Sequence, residues 1–315
     1  MRDSAGNFLP AMESICGEHL SLHDDEVLLI VADPSRKALA GKMARAAETA
    51  GYGCNLIVIG EVVRAGQAPA GFTEELLAGF PAALLVTGKS LSHTDERRKA
   101  CREQNTRIAS MPGLTDDILL HLFRPGSADV VRRRTVEMVE RVKDSRRVRV
   151  RGPAGTRMEL SVQDRKLYLD TGLYRRPGDF GNLPAGEVAW SPVPGSASGR
   201  IVVDVAFAGL RGVNGLKLTI EDGAIVDAEG AKARELMQVL AGKPERVLGE
   251  FGIGTNPLAR PGAVTLEAEK AVGTVHFGFG DSRSFGGTNQ ASGHWDCVVR
   301  ADSLDIDSRA VELAP

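Results

Sequence analysis

Between residues 26 and 110 short apolar runs alternate with amphipathic stretches, and that alternation restricts the first half of the chain to an open α/β sheet. Glu26-Val-Leu-Leu-Ile-Val-Ala32 is apolar without a break and stops at Asp33-Pro34, the pattern of a parallel strand buried on both faces. Ser35 is positioned to cap a helix in which Ala38, Leu39, Met43, Ala46 and Ala47 recur at helical spacing until Gly51. The series continues with a strand at Asn55-Leu-Ile-Val-Ile59, a helical stretch over 74–80, a strand over 82–86, a charged helix opening at Thr94 and a strand over 107–110. A Rossmann-like parallel sheet follows. Its first turn, Asp33-Pro34-Ser35-Arg36, lacks the G-x-G-x-x-G that lets a backbone approach a pyrophosphate, which disfavours a nicotinamide or flavin role.

The texture changes after a helix predicted from Ser127 to Asp144, whose Arg132-Arg133-Arg134 run reads as a solvated face. Val148-Arg-Val150, Met158-Glu-Leu-Ser-Val162 and Lys166-Leu-Tyr-Leu169 alternate at period two, with Gly152-Pro153 and Gly155 as turns. Further short strands are predicted over 200–206, 216–220, 224–229, 272–277 and 296–299, interrupted by one helix over 231–241. The length of 315 residues fits two domains of about 150 residues each. The expectation is a Rossmann-like α/β domain over 1–147 and an antiparallel-rich α+β metal-binding domain over 148–315.

With 39 Lys and Arg against 41 Asp and Glu, the chain has no general attraction for nucleic acid or anionic lipid. The aliphatic run from Val27 to Ala32 is far below the roughly 20 apolar residues of a membrane span. Cys16, Cys54, Cys101 and Cys297 show no CxxC spacing, and no basic segment leads into a long apolar one, so a cytoplasmic protein is expected.

Chemistry concentrates in the second half. In His294-Trp295-Asp296 an extended backbone turns imidazole and carboxylate to one face while Trp295 packs on the other. The preceding Phe285-Gly-Gly-Thr-Asn-Gln-Ala-Ser-Gly293 has no apolar periodicity and reads as a functional loop. His276 stands within the apolar run Gly273-Thr-Val-His-Phe277, and Glu187 and Glu250 each follow a glycine and precede an apolar residue. A surface pair, a core histidine and two turn carboxylates are the structural alternatives. Taken together, the five side chains carry three negative charges and two neutral imidazoles. Two divalent cations and one hydroxide would neutralise that set, and its composition suits zinc, cobalt or manganese.

Asn182-Leu-Pro-Ala-Gly-Glu-Val188, Gly249-Glu-Phe-Gly-Ile-Gly-Thr-Asn-Pro257, Leu266-Glu-Ala-Glu-Lys270 with Gly273-Thr-Val-His276, and Gly286-Gly-Thr-Asn289 with His294-Trp-Asp296 together resemble the M29 family of metalloaminopeptidases, of the aminopeptidase T and S types. The resemblance covers the C-terminal half. It implies a two-metal site at Glu187, Glu250, His276, His294 and Asp296 that activates water against an N-terminal peptide or small amide bond, with Glu250 as proton shuttle or bridging ligand. It also implies a homodimer acting on a short peptide or small molecule. Where the peptidases have a tyrosine seven residues beyond the position of His276, this chain has Arg283, a candidate for oxyanion or carboxylate binding. A related branch, the 2,5-dihydroxypyridine 5,6-dioxygenases, is similar in layout. Resemblance to it implies a single Fe(II) held by two His and one Asp, with a histidine at the position of Glu250 and no ligand at those of Glu187 and His276. The ligand set favours hydrolysis, with ring-cleaving oxygen chemistry as the alternative.

Overall fold

The structure, a computed structural model, describes residues 8–262 and 264–313. The chain divides into two compact units, residues 1–132 with 170–185, and residues 133–169 with 186–315.

The first unit is built on a five-stranded parallel sheet in the order Gly53–Val58, Val27–Ala32, Ala82–Val86, Arg107–Ser110, Phe180–Asn182. The central strand Ala82–Val86 is buried along its whole length, as its unbroken apolar run requires. Thr94 caps the helix Asp95–Glu103 by accepting a hydrogen bond from the Arg97 backbone N–H. Ser35 does not cap its helix. Its hydroxyl instead donates to the Asp33 carboxylate at 2.6 Å, a charged acceptor two residues away, and the helix Lys37–Thr49 starts without a side-chain cap. Residues 170–185 belong to this unit because Phe180–Asn182 adds to the edge of the sheet beside Arg107–Ser110.

The second unit holds two antiparallel sheets. One has seven strands, in the order Ala224–Glu229, Lys217–Glu221, Ser198–Val202, Arg157–Ser161, Arg147–Arg151, Ser303–Ile306, Arg309–Val311. The other has six, in the order Ala206–Phe207, His294–Arg300, Thr274–Gly280, Leu248–Gly254, Glu187–Trp190, Leu167–Asp170. Side chains from both sheets share one core, in which Val148, Leu160 and Leu218 meet Trp190, Phe251 and Phe277. The Phe251 ring stacks near Trp190 with centroids 6.2 Å apart and lies 5.6 Å from Phe277. The glycine-rich segment around Glu250 is a buried strand rather than a turn. Among the described residues, no helix is long and apolar enough to cross a membrane.

Candidate metal centre

The period of two that defines a strand also builds the site. On the six-stranded sheet, Phe251, Ile253, Val275, Phe277, Phe279, Cys297 and Val299 point into the core. Their neighbours Glu250, Gly252, Gly254, His276, Gly278, Gly280, His294 and Asp296 therefore share the opposite face. The register sets a glycine beside each functional side chain: Gly278 pairs with both Glu250 and Asp296, Gly252 with His276, Gly254 with Glu187, and Gly280 with His294. A Cβ at Gly252 would overlap the His276 ring, and one at Gly278 would overlap the His294 ring. The glycines thus form a trough in which two imidazoles lie flat, which explains their density in Gly249–Gly254 and Gly278–Gly280.

All five expected side chains converge. His294 Nε2 is 2.9 Å from Glu250 Oε2 and 2.9 Å from Asp296 Oδ1. His276 Nε2 is 3.4 Å from Glu250 Oε1 and 3.5 Å from Glu187 Oε2. The donor atoms form two trios, Glu250–His294–Asp296 and Glu187–Glu250–His276, each with its atoms within 4.8 Å of one another and with Glu250 common to both.

The hydrogen-bonding pattern of His294 tests whether the site suits a cation. Its Nδ1 lies 2.8 Å from the Asp281 backbone carbonyl. A carbonyl can only accept, so Nδ1 carries a proton, and in the neutral ring Nε2 turns a lone pair towards two carboxylate oxygens. That arrangement is favourable only if Nε2 is also protonated or if a cation sits among the three atoms. A histidine oriented by a backbone carbonyl on one nitrogen and free to ligate through the other is the usual form of a metal-binding imidazole. The donor set fits a divalent cation.

Electrostatics of the metal-free site agree. Burial opposes charge on every group, but the hydrogen bonds from His276 and His294 outweigh it and hold Glu250 down at about 2. Asp296 is lowered against burial by the charge and hydrogen bond of His294. His276 is raised to about 9, against burial, by its hydrogen bond to Glu250 and the charge of Glu187. His294 is raised well above the ordinary histidine range by Asp296 and Glu250. In the metal-free site the imidazoles are thus held protonated among the carboxylates, in the place a cation would take.

Two charged neighbours within the motif Leu266-Glu-Ala-Glu-Lys270 were given no role from the sequence. Lys270, from the short helix Thr265–Lys270, is 1% exposed, with Nζ 2.5 Å from Glu187 Oε2 and 2.9 Å from Glu269 Oε1. Burial pushes the Glu269 carboxyl up to about 8. Their sequence trace was the Glu-Lys pair just ahead of Gly273-Thr-Val-His276. Counting Lys270 alters the charge balance, since its ammonium already offsets one of the three ligand carboxylates. Arg283 is ion-paired through Nε, 2.7 Å from Asp281 Oδ2, on a half-exposed side chain. Its partner is the residue whose backbone carbonyl orients His294.

The NicX family model, described as 2,5-dihydroxypyridine 5,6-dioxygenase, matches residues 21–313. The chain belongs to this dioxygenase family. A 2,5-dihydroxypyridine 5,6-dioxygenase of Pseudomonas putida KT2440 is 24% identical over 248 residues, which cover 73% of this chain and 69% of that protein. The solved structure of the 2,5-dihydroxypyridine dioxygenase from P. putida KT2440 aligns over 100% of this chain and 97% of its own, with a TM-score of 0.79 and 17% identity. Wild-type AmpT from Thermus thermophilus aligns over 98% of this chain and 96% of its own, with a TM-score of 0.68 and 18% identity. At these identities the two solved structures attest the fold alone. Of the two branches that the motifs resemble, the family match falls on the dioxygenases. Among these comparisons, the leading expectation of a metallopeptidase is met by AmpT in fold alone.

Proposed function

We propose that this member of the dioxygenase family is a metalloenzyme in which Glu250, His294 and Asp296 hold one ferrous ion, and that it opens the ring of a small hydroxylated heteroaromatic. The orientation of His294 carries this reading: with Nδ1–H given to the Asp281 carbonyl, its Nε2 is directed at two carboxylate oxygens, each 2.9 Å away. Family membership supports the reaction type. A ferrous ion supplies the oxygen chemistry that ring opening requires. The chain's own side chains do the rest. One divalent cation and the Lys270 ammonium together balance Glu187, Glu250 and Asp296, while Glu269 holds its proton near neutrality. His276 retains a proton at Nε2 between Glu187 and Glu250, available to a substrate hydroxyl or its product.

A second reading is two-metal hydrolysis of a peptide or small amide bond, as in the aminopeptidase T type. The Glu187–Glu250–His276 trio favours it, as does a glutamate where the dioxygenase resemblance implies a histidine. Under that reading Glu187, Glu250, His276, His294 and Asp296 would hold two zinc, cobalt or manganese ions, which would supply an activated water.

One experiment separates the two. Metal-free protein is loaded anaerobically with Fe(II), Zn(II), Co(II) or Mn(II) and then offered 2,5-dihydroxypyridine or aminoacyl amides. The first reading predicts substrate-dependent oxygen uptake with Fe(II) only, lost in His294→Ala. Amide hydrolysis without oxygen uptake, supported by Zn(II), Co(II) or Mn(II), would overturn it in favour of the second.

A further inference from the structure

The centre offers two trios of donors but does not offer them on equal terms. We propose that Lys270 is a fixed internal cation that grades the two subsites, so that Glu250–His294–Asp296 fills first and Glu187–Glu250–His276 takes a second divalent ion only at much higher concentration. The inference rests on the reading that the His294 trio holds the first ion.

Three observations carry it. The Lys270 ammonium lies 2.5 Å from Glu187 Oε2, the same oxygen that faces His276 Nε2 at 3.5 Å. A second cation would have to share that oxygen with a charge already bound to it. Lys270 is 1% exposed and is also held by Glu269 Oε1 at 2.9 Å, so its head group is anchored from two sides by buried carboxylates. Glu250 and Asp296, by contrast, meet imidazole nitrogens, which can give up their protons to a metal. An ammonium and a divalent ion on one carboxylate oxygen, in a buried site of reduced effective dielectric, repel strongly enough to weaken the second step by about a hundredfold or more. Lys270 is accordingly a positioning residue. It keeps Glu187 directed at the centre and holds the second subsite open to substrate groups rather than to metal.

The test is equilibrium titration of the full-length, metal-free protein with Mn(II) alone, free Mn(II) being counted by its paramagnetic resonance. The wild type should take up one ion tightly and a second about a hundredfold more weakly. In Lys270→Met the second step should tighten at least about tenfold while the first moves less than about threefold. Lys270→Arg, which keeps the charge, should retain the wild-type pattern. Should the methionine variant fail to fold, Lys270→Gln, which keeps an N–H for Glu187, is expected to show the same tightening. A second step that is unchanged or weakened in the neutral variants, or both steps weakened together as a purely structural role would give, overturns the proposal. His294→Ala keeps the two ideas distinct: if the tight first step survives it, the assignment of the first subsite is what fails.

Discussion

Gly278→Ala places a methyl group where the structure leaves only the width of an imidazole. The added Cβ would stand 2.6 Å from His294 Cε1 and 2.9 Å from Glu250 Cβ. Carbon atoms settle at about 3.5–4.0 Å, so the ring must withdraw by about 1 Å. It cannot do so freely, because the Asp281 carbonyl holds Nδ1 at 2.8 Å and the Phe285 ring packs against the imidazole with centroids 5.5 Å apart. Ligand positions tolerate only about 0.2 Å of error, and loss of a supporting group alone weakens metal binding about 10- to 100-fold. Moving the ligand itself should therefore cost at least about 100-fold in affinity for the first ion, against about 1–3 kcal/mol of stability from overpacking. Anaerobic equilibrium dialysis with Fe(II), read by elemental analysis, measures the first quantity, and urea unfolding of the metal-free protein the second. Gly79→Ala is the control, because its Cβ would meet nothing within 4 Å and its backbone is ordinary helical, with φ −74°. A folded Gly278→Ala protein that binds Fe(II) like the wild type would refute the argument that this face of the sheet is shaped around His294.

Acid–base linkage gives the metal-free protein a characteristic pH profile. His276 is raised from 6.5 to about 9, so the stability it contributes is complete below pH 6.5 and lost as the pH rises to about 9, by about 3 kcal/mol. Glu250, held at about 2, works in the other direction, its contribution being present above pH 4.5 and lost as the pH falls towards 2. Urea unfolding of chelator-treated protein between pH 6 and 9.5 should show the alkaline decline, and His276→Asn should make it shallower, leaving the parts due to His294 and Glu269. On the opposite face of the same sheet, Phe251→Ala should cost about 3–5 kcal/mol in urea unfolding, because the ring is fully buried between Trp190 and Phe277. A cost below about 1 kcal/mol would mean that the two sheets do not share a packed core.

Much of this architecture could be read from patterning, and the failures have physical causes. The strands Ala82–Val86, Arg107–Ser110 and Ala224–Glu229 lie where their apolar runs end, since burial on one or both faces writes itself into composition. The return of residues 170–185 to the parallel sheet was not legible, because Phe180–Asn182 is a three-residue edge strand with too few positions to show a period. Leu248–Gly254 was not among the predicted strands for a different reason. Its glycines argue for a turn under any propensity rule, yet here they serve space rather than conformation, because neighbouring strands lay imidazole rings across them. In the trough around His276 and His294, the propensity rule and the functional requirement conflict, and the requirement prevails.

The same contrast separates the ligands from the charge that governs them. Glu187, Glu250, His276, His294 and Asp296 were recognisable because carboxylates and imidazoles beside glycines are uncommon enough to stand out, and the backbone register then brings them together. Lys270 was inconspicuous because a lysine after a glutamate on a short helix is ordinarily a solvated pair, and only folding reveals that it is buried on Glu187. On the proposed reading, the number of ions the centre accepts depends on Lys270 as much as on the ligands. Three carboxylates with no internal cation would call for two metals, whereas three carboxylates and one ammonium are balanced by one. If Lys270 acts as proposed, a sheet face of this design would be moved between one-ion and two-ion chemistry by a single buried charge without a change of ligand. Relatives of one fold carrying out different reactions are the expected outcome of such a site.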